Sequence, residues 1–131
     1  MHDASLPLQA ALVARLRAAL PALAGRVHDR APPEVAFPFV QFGASQSVPE
    51  AEGCLDLATC HLTLHVWSRA VGAVEARGFA AAIAAALTDW TPELTGVACD
   101  DLRVTSIQIM ADPDGLTTHG VVQVEAFTAR I

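Results

Sequence analysis

Residues 57–67, in the middle of the chain, alternate strictly between apolar side chains and polar or aromatic ones. Successive side chains of a β-strand point to opposite faces of a sheet, so a period of two kept over this length predicts one long strand. One predicted face consists of Ala58, Cys60, Leu62, Leu64 and Val66. The other face carries hydroxyl, imidazole and indole groups, from Thr59, His61, Thr63, His65 and Trp67. This second face is too polar for a buried core and too aromatic for an idle surface.

Helical periodicity occurs on both sides of this strand. Leucines at helical spacing predict a first helix over 7–23, which Pro21 should end or distort near Leu20. A second helix is predicted between Gly72 and Pro92. Its apolar stripe consists of Phe79, Ile83, Leu87 and Trp90. Each stripe needs an apolar surface to cover, and the alternating strand offers one.

The segment between the first helix and the long strand contains two further predicted elements and a loop. Residues 27–29 suggest a short extended piece, and 37–43 a strand. Residues 44–53 are small and polar and include Pro49 and Gly53, a composition typical of a loop.

The last third of the chain predicts a β-hairpin. Two strands, about 101–110 and 118–129, are joined by residues 112–115, Asp-Pro-Asp-Gly, which fit a type I turn. The alternation of the first of these strands changes phase at 105–106, which predicts a bulge there. The whole pattern predicts a single α+β domain over 1–131, with two helices packed on one face of a mainly antiparallel or mixed sheet of four to five strands.

Charge and hydropathy exclude several classes of protein. The formal net charge is −6, which argues against a basic surface for nucleic acid. The longest apolar run is 79–87, far shorter than the roughly 20 residues of a membrane span. The first residues lack the pattern of a signal peptide, and the three cysteines are expected to be reduced thiols.

Residues that suggest catalysis or metal binding do not converge in this pattern. Cys60 and His61 are neighbours on a strand, so their side chains point to opposite faces. His61 and His65 share a face but lie roughly 13 Å apart, too far for one metal ion. The cysteines also lack the paired C-x2-C spacing of a zinc site. We therefore expect no catalytic residue, cofactor or metal, while a small thiol or metal-dependent hydrolase stays open as an alternative.

The run His-Leu-Thr-Leu-His-Val-Trp-Ser-Arg-Ala-Val-Gly at 61–72 resembles the hallmark of the tail-completion, or tail-terminator, proteins of long-tailed phages and gene transfer agents. Further segments are similar to the same family in the same order. They are 26–33 with 37–40, the alanine-rich helix after Gly72, and 114–122. Two residues depart from the pattern: His28 stands where an aromatic residue is expected, and Thr118 where arginine is frequent.

The resemblance implies a structural protein without substrate turnover. It implies a homohexameric ring that caps the tail tube, stops tube polymerisation and joins the tail to a head-side connector or stopper protein. DNA would pass through the lumen without specific binding, and no membrane would be involved. The protein would assemble in the cytoplasm of the producing bacterium and end in the neck of a phage, prophage or gene transfer agent particle. Another neck component, a stopper or adaptor, is the alternative.

A ring requires two different contact patches on each protomer, because cyclic contacts are heterologous. We expect the segment 44–53, or the polar-aromatic face of the long strand, to contribute to one patch. Trp67 is the candidate anchor, since tryptophan is frequent at binding hot spots; the alternative is a tryptophan packed in the core or under a helix. The candidate subunit-interface residues are His61, Thr63, His65, Trp67, Arg69, Glu50 and Glu52.

Overall fold

The computed structural model describes residues 1–131 except for the side chains of residues 51 and 52. Two helices and five strands are present, and a short 3-10 turn at Pro21–Leu23 follows the first helix. The elements are α1 (Ser5–Ala19), β1 (Val27–His28), β2 (Phe39–Glu52), β3 (Leu55–Ser68), α2 (Val74–Leu87), β4 (Val97–Ala111) and β5 (Thr118–Arg130).

The strands form one sheet in the order β1-β2-β3-β5-β4. The short strand β1 pairs in parallel with β2, and the other neighbours are antiparallel, so the sheet is mixed. Two long hairpins, β2–β3 and β4–β5, are joined through the central pair β3 and β5. The predicted α+β architecture is confirmed, with both helices on one face of an open sheet.

The core lies between the two helices and the apolar face of β3. This face carries the residues that the alternation predicts to be buried, and it points toward the helices. The leucines of α1 and one side of α2 pack against it, and the alanines of α2 leave room for contact with both α1 and the sheet. None of the helices in the described part of the chain is long and apolar enough to cross a membrane. The residues that α1 and α2 bury in this core are Leu8, Leu12, Leu16, Ala76, Ala80, Ile83, Ala86 and Leu87.

The first helix ends where proline predicts. It stops at Ala19, and the backbone N–H of Leu20 donates to the carbonyl of Leu16 at 2.9 Å. Pro21 then begins the 3-10 turn, because proline cannot continue the hydrogen-bond ladder of an α-helix. The helix starts two residues earlier than the predicted boundary, at Ser5, whose backbone N–H donates to the Asp3 carboxylate.

The prediction of a loop over 44–53 is wrong, because most of this segment continues β2 and pairs with β3. The strand is interrupted by a bulge between Phe42 and Ser45, and the turn of the hairpin falls at 53–54. Strand β1 pairs only with Val40 and Gln41, so the rest of β2 is a sheet edge. An edge strand tolerates polar side chains and a proline such as Pro49, which explains the loop-like composition.

The C-terminal hairpin agrees with its predicted turn and bulge. The backbone N–H of Gly115 donates to the carbonyl of Asp112 at 3.1 Å, and this bond closes the turn. The register of β4 shifts between Val104 and Ser106, as the change of phase predicts. A second shift, between Cys99 and Asp101, is not visible in the alternation.

A polar cluster ties the chain start to the far end of the sheet. The ring of His2 contacts the Asp56 carboxylate through Nδ1 at 3.0 Å and the Thr128 hydroxyl through Nε2 at 2.8 Å. The guanidinium of Arg130 and the terminal ammonium also lie within 4 Å of Asp56. The hydrogen bond from His2, followed by these positive charges, lowers the pKa of Asp56.

Replacing Asp56 by asparagine is expected to make the folded protein less stable at neutral pH and to flatten its acid sensitivity. A carboxylate whose pKa is lowered by folding stabilises the fold above its ordinary pKa of 3.8, and this stabilisation is lost as pH falls through the lowered value. Urea midpoints at pH 7 and pH 3 measure the difference. The difference in urea midpoint between the wild-type protein and the variant should be smaller at pH 3 than at pH 7. A difference that does not change with pH would contradict this account.

Candidate subunit interface

The face of the sheet opposite the helices, called the open face below, carries the polar and aromatic side chains of β3. Its side chains point away from the apolar core and are mostly half-buried by one another. Strand β5 contributes a second row in register with the first. The two rows are His61, Thr63, His65 and Trp67 on β3, and His119, Val121, Gln123, Glu125 and Phe127 on β5.

Three aromatic rings stack at one end of the open face. The rings of Trp67 and His119, which are directly opposite in the β3–β5 register, lie 3.9 Å apart between centroids and 3° from parallel. His65 stacks beside them, and its Nδ1 lies 2.6 Å from Nε2 of His119. One ring nitrogen must donate to the other, so this contact requires one proton between the two facing nitrogens.

The histidine pair favours its neutral form. Partial burial lowers the pKa of His65, and burial together with the neighbouring His65 lowers that of His119. Asp112 acts in the opposite direction on the pKa of His119. The pair also depends on Gly43 in the β2 bulge, since a Cβ there would collide with Nε2 of His65.

Polar pairs continue the row toward the hairpin turn of β2 and β3. The Thr63 hydroxyl donates to the Gln123 side chain at 2.8 Å. The Thr59 hydroxyl donates to the Glu50 carboxylate at 3.2 Å. These cross-strand bonds hold the side chains in fixed positions, which lowers the entropy lost when a partner binds.

Arg69 lies just beyond β3, at the end of the open face that holds the aromatic stack. Its guanidinium carbon is 4.1 Å from the centre of the Phe37 ring, a cation–π geometry. Its Nε also donates to the Thr117 hydroxyl at 3.3 Å, and that hydroxyl donates to Asp114. The arginine is exposed but anchored at two points.

Four of the predicted interface residues, on β3, are brought together on the open face. Arg69 continues this row, and Glu50 extends it at the opposite end, whereas the side chain of Glu52 lies outside the described residues. Trp67 is half-buried on the open face, stacked on His119, rather than in the core or under a helix, and its role as an interface anchor stays a prediction.

The residues of β5 are missing from the sequence prediction of the site. Alternation over 118–129 places His119, Gln123 and Phe127 on one side of that strand, so a local signal existed. What it could not reveal is which strand pairs with β3. Only the observed register brings His119 beside Trp67.

The thiol and metal interpretations gain no geometric support. Cys60 is buried in the core while His61 is on the open face, and burial raises the pKa of the Cys60 thiol. A raised pKa reduces the thiolate fraction that a nucleophile needs. Among the described residues, no group of three or more His, Cys, Asp or Glu side chains is placed to hold a metal ion.

These features define a class of protein: a small α+β domain with two helices on one face of a sheet and an ordered aromatic surface on the other. The family model described as "Tail completion protein gp17" matches residues 10–129. The chain belongs to this family, and a structural tail-completion role follows from its membership.

Solved structures share the fold. A chain from the virion of a native gene transfer agent particle superposes with a TM-score of 0.84 and 24% identity, over 93% of this chain and 94% of that chain. The gp17 protein of bacteriophage SPP1 superposes with a TM-score of 0.61 and 26% identity, over 94% of this chain and 89% of that chain. Comparison with curated protein sequences finds no significant match.

Acidification is expected to destabilise the protein as the pH falls below the ordinary histidine pKa of 6.5. A histidine whose pKa is lowered by folding binds protons more readily when unfolded, so stability decreases from pH 7 toward the lowered values. His119→Gln should flatten this slope between pH 7 and 5, measured by urea unfolding. His28→Gln, on β1, is the control, and an equal flattening in it would contradict the assignment to the pair.

Gly43→Val is expected to destabilise the protein by about 1–3 kcal/mol, because the new side chain would collide with His65. Thermal unfolding measures the loss, and histidine NMR signals should show the disrupted pair. Gly78→Ala is the matched control, since a Cβ at this exposed helical position meets nothing within 4 Å. It should be neutral or stabilising, and an undisturbed Gly43→Val protein would refute the close contact.

Proposed function

We propose that the chain forms a ring that caps a tail tube, stops its polymerisation and joins the tail to a head-side connector. The family match over residues 10–129 carries this proposal. In this proposal one domain, residues 1–131, is the ring protomer and six copies close the ring. Assembly takes place in the cytoplasm of the producing bacterium, and the finished ring lies in the neck of the particle.

The open face supports a role in contacts between subunits. It combines tryptophan, histidine and arginine in fixed positions, and tryptophan and arginine are among the side chains enriched at binding hot spots. Both helices lie on the opposite face, so this surface is available to a partner. The interface residues proposed are His61, Thr63, His65, Trp67, Arg69 and Glu50, with Glu52 on the same strand as Glu50.

The charge of the chain suits a ring through which DNA passes. Six copies of a chain with formal charge −6 carry −36. Acidic side chains facing the lumen would repel the phosphate backbone, so DNA would move through without specific binding. Replacing lumen-facing acids by arginine should slow DNA ejection from assembled particles, and unchanged ejection kinetics would contradict the acidic lumen.

The geometry of the titratable side chains favours a structural role over a hydrolase. A hydrolase needs convergent groups that activate a nucleophile or a water molecule. The side chains of Cys60 and His61 point to opposite sides of β3, and the paired histidines contact each other. We infer that the protein has no substrate turnover, cofactor or resident metal.

Light scattering of the purified chain, with and without tail-tube protein, tests the ring. We expect a species of about 82 kDa, six copies of 13.7 kDa, free or on tubes of limited length. A chain that neither binds tubes nor limits their length would refute tail termination. Binding to tailless heads instead of tubes would favour a stopper or adaptor.

Trp67→Ala is expected to weaken ring formation by at least tenfold while leaving the fold intact, because the indole lies on the half-exposed open face. Sedimentation across a concentration series measures the change, and circular dichroism checks the fold. Trp90→Ala, on the helix side, is the control with the same loss of an indole ring. A folded Trp67→Ala protein with rings of normal stability would remove Trp67 as an anchor.

A further inference from the structure

Most of the large exposed apolar side chains are concentrated at the two ends of the sheet. At the β2–β3 hairpin end, Leu55 is 62% exposed, and Met1 and Ile131 lie at the same end. At the other end, Val74 is 83% and Leu116 71% exposed, and Val71 is fully exposed. Single exposed apolar residues are ordinary, whereas residues that cluster at two separate ends are candidates for contact surfaces.

The two ends differ in shape. The end beyond β3 holds a shallow, open apolar groove of about 650 Å3 between the C-terminal end of α1 and the first turns of α2. Its lining includes Leu20, Pro21, Val71, Val74 and Phe79. The opposite end is a projecting hairpin turn with Leu55 beside it. Strand β3, of 14 residues, lies between the two ends, and its first and last Cα atoms are roughly 43 Å apart at about 3.3 Å per step.

The groove is built from anchored parts. The Ser68 hydroxyl donates to the Glu75 carboxylate at 2.7 Å, and the backbone N–H of Ala70 donates to the Ser68 hydroxyl. The Thr118 hydroxyl donates to the carbonyl of Gly72 at 3.2 Å. These bonds fix the connection between β3 and α2, so the groove exists before a partner arrives.

Exposed charge differs around the two ends, although the charged side chain that lines the groove itself, Glu75, is acidic and accepts a hydrogen bond from Ser68. Glu50, next to the hairpin turn, is exposed and acidic. Arg69 precedes the groove residue Ala70, and Arg77 precedes the groove residue Gly78; both arginines are exposed. A hairpin end entering the groove would place acid near base around an apolar centre, the usual anatomy of a specific interface.

We propose that the hairpin end of one protomer, residues 53–57 with Leu55 at its centre, docks into the α1–α2 groove of a second copy of this chain. The contact is heterologous and repeats head to tail, as ring closure requires. The hairpin end lies next to Glu50, and the groove lies next to Arg69. Both residues belong to the proposed open-face interface, so the contact between hairpin end and groove, called the joint below, extends that interface at both ends. This inference rests on the proposed ring.

Two exposed positions test the joint by mixing. Leu55→Asp removes the apolar hairpin end and keeps the groove, and Val74→Asp does the reverse. Under conditions in which the wild-type chain forms rings, neither variant alone should assemble. An equimolar mixture should give pairs of about 27 kDa, because one intact hairpin end meets one intact groove. Leu6→Asp, on an exposed leucine of α1 that lines neither surface, should form normal rings.

A disulfide trap tests the same contact directly. Cys54 is exposed beside Leu55, so Val71→Cys should give a ladder of cross-linked oligomers up to the hexamer under mild oxidation. Adding Cys54→Ser should abolish the ladder. Wild-type rings without the Val71→Cys ladder, or rings from either aspartate variant alone, would overturn the joint and leave the ring intact. A wild-type chain that neither forms rings nor caps tubes would overturn the proposed function with it.

Discussion

The pairing of β3 with a strand on each side is the constraint on which the rest of the structure depends. Because β3 is bonded to β2 and β5 along nearly its whole length, its alternation fixes the two faces of the sheet. The leucines and valine of one face need cover, and the amphipathic helices α1 and α2 supply it. The other face is then left to the histidines and Trp67. A one-residue slip in register would exchange the faces, so the buried leucines also hold the open face outward.

The sequence predicts this central part well and the sheet edge badly, for a physical reason. Leu62 and Leu64 are buried by both neighbours, so hydrophobicity and structure agree there. In β2 beyond the bulge, one backbone edge is outside the sheet and many side chains are exposed, so polar residues and Pro49 cost little. Local composition cannot separate such an edge from a loop. The pairing with β3, residue by residue through Ser47 and Cys60, decides it.

The candidate site shows the same division. His61, Thr63, His65 and Trp67 are predicted to share a face because the alternation of one strand is enough to place them. Their partners come from a strand more than fifty residues away, and no local pattern states which strand will be adjacent. The contact between His65 and His119, 54 residues apart in the chain, is a property of topology. Gly43 completes it from a third strand by leaving space for the imidazole.

The long hairpin gives the molecule its polarity. A compact sheet with short strands would bring all its exposed apolar residues onto one surface, where two copies could pair face to face and stop. Strands of 14 residues separate Leu55 from Val74 by most of the length of the molecule. Two unlike surfaces at opposite ends of the molecule cannot contact each other within one chain. A series of copies, each offering its hairpin end to the groove of the next, satisfies both surfaces, and a closed ring leaves neither exposed.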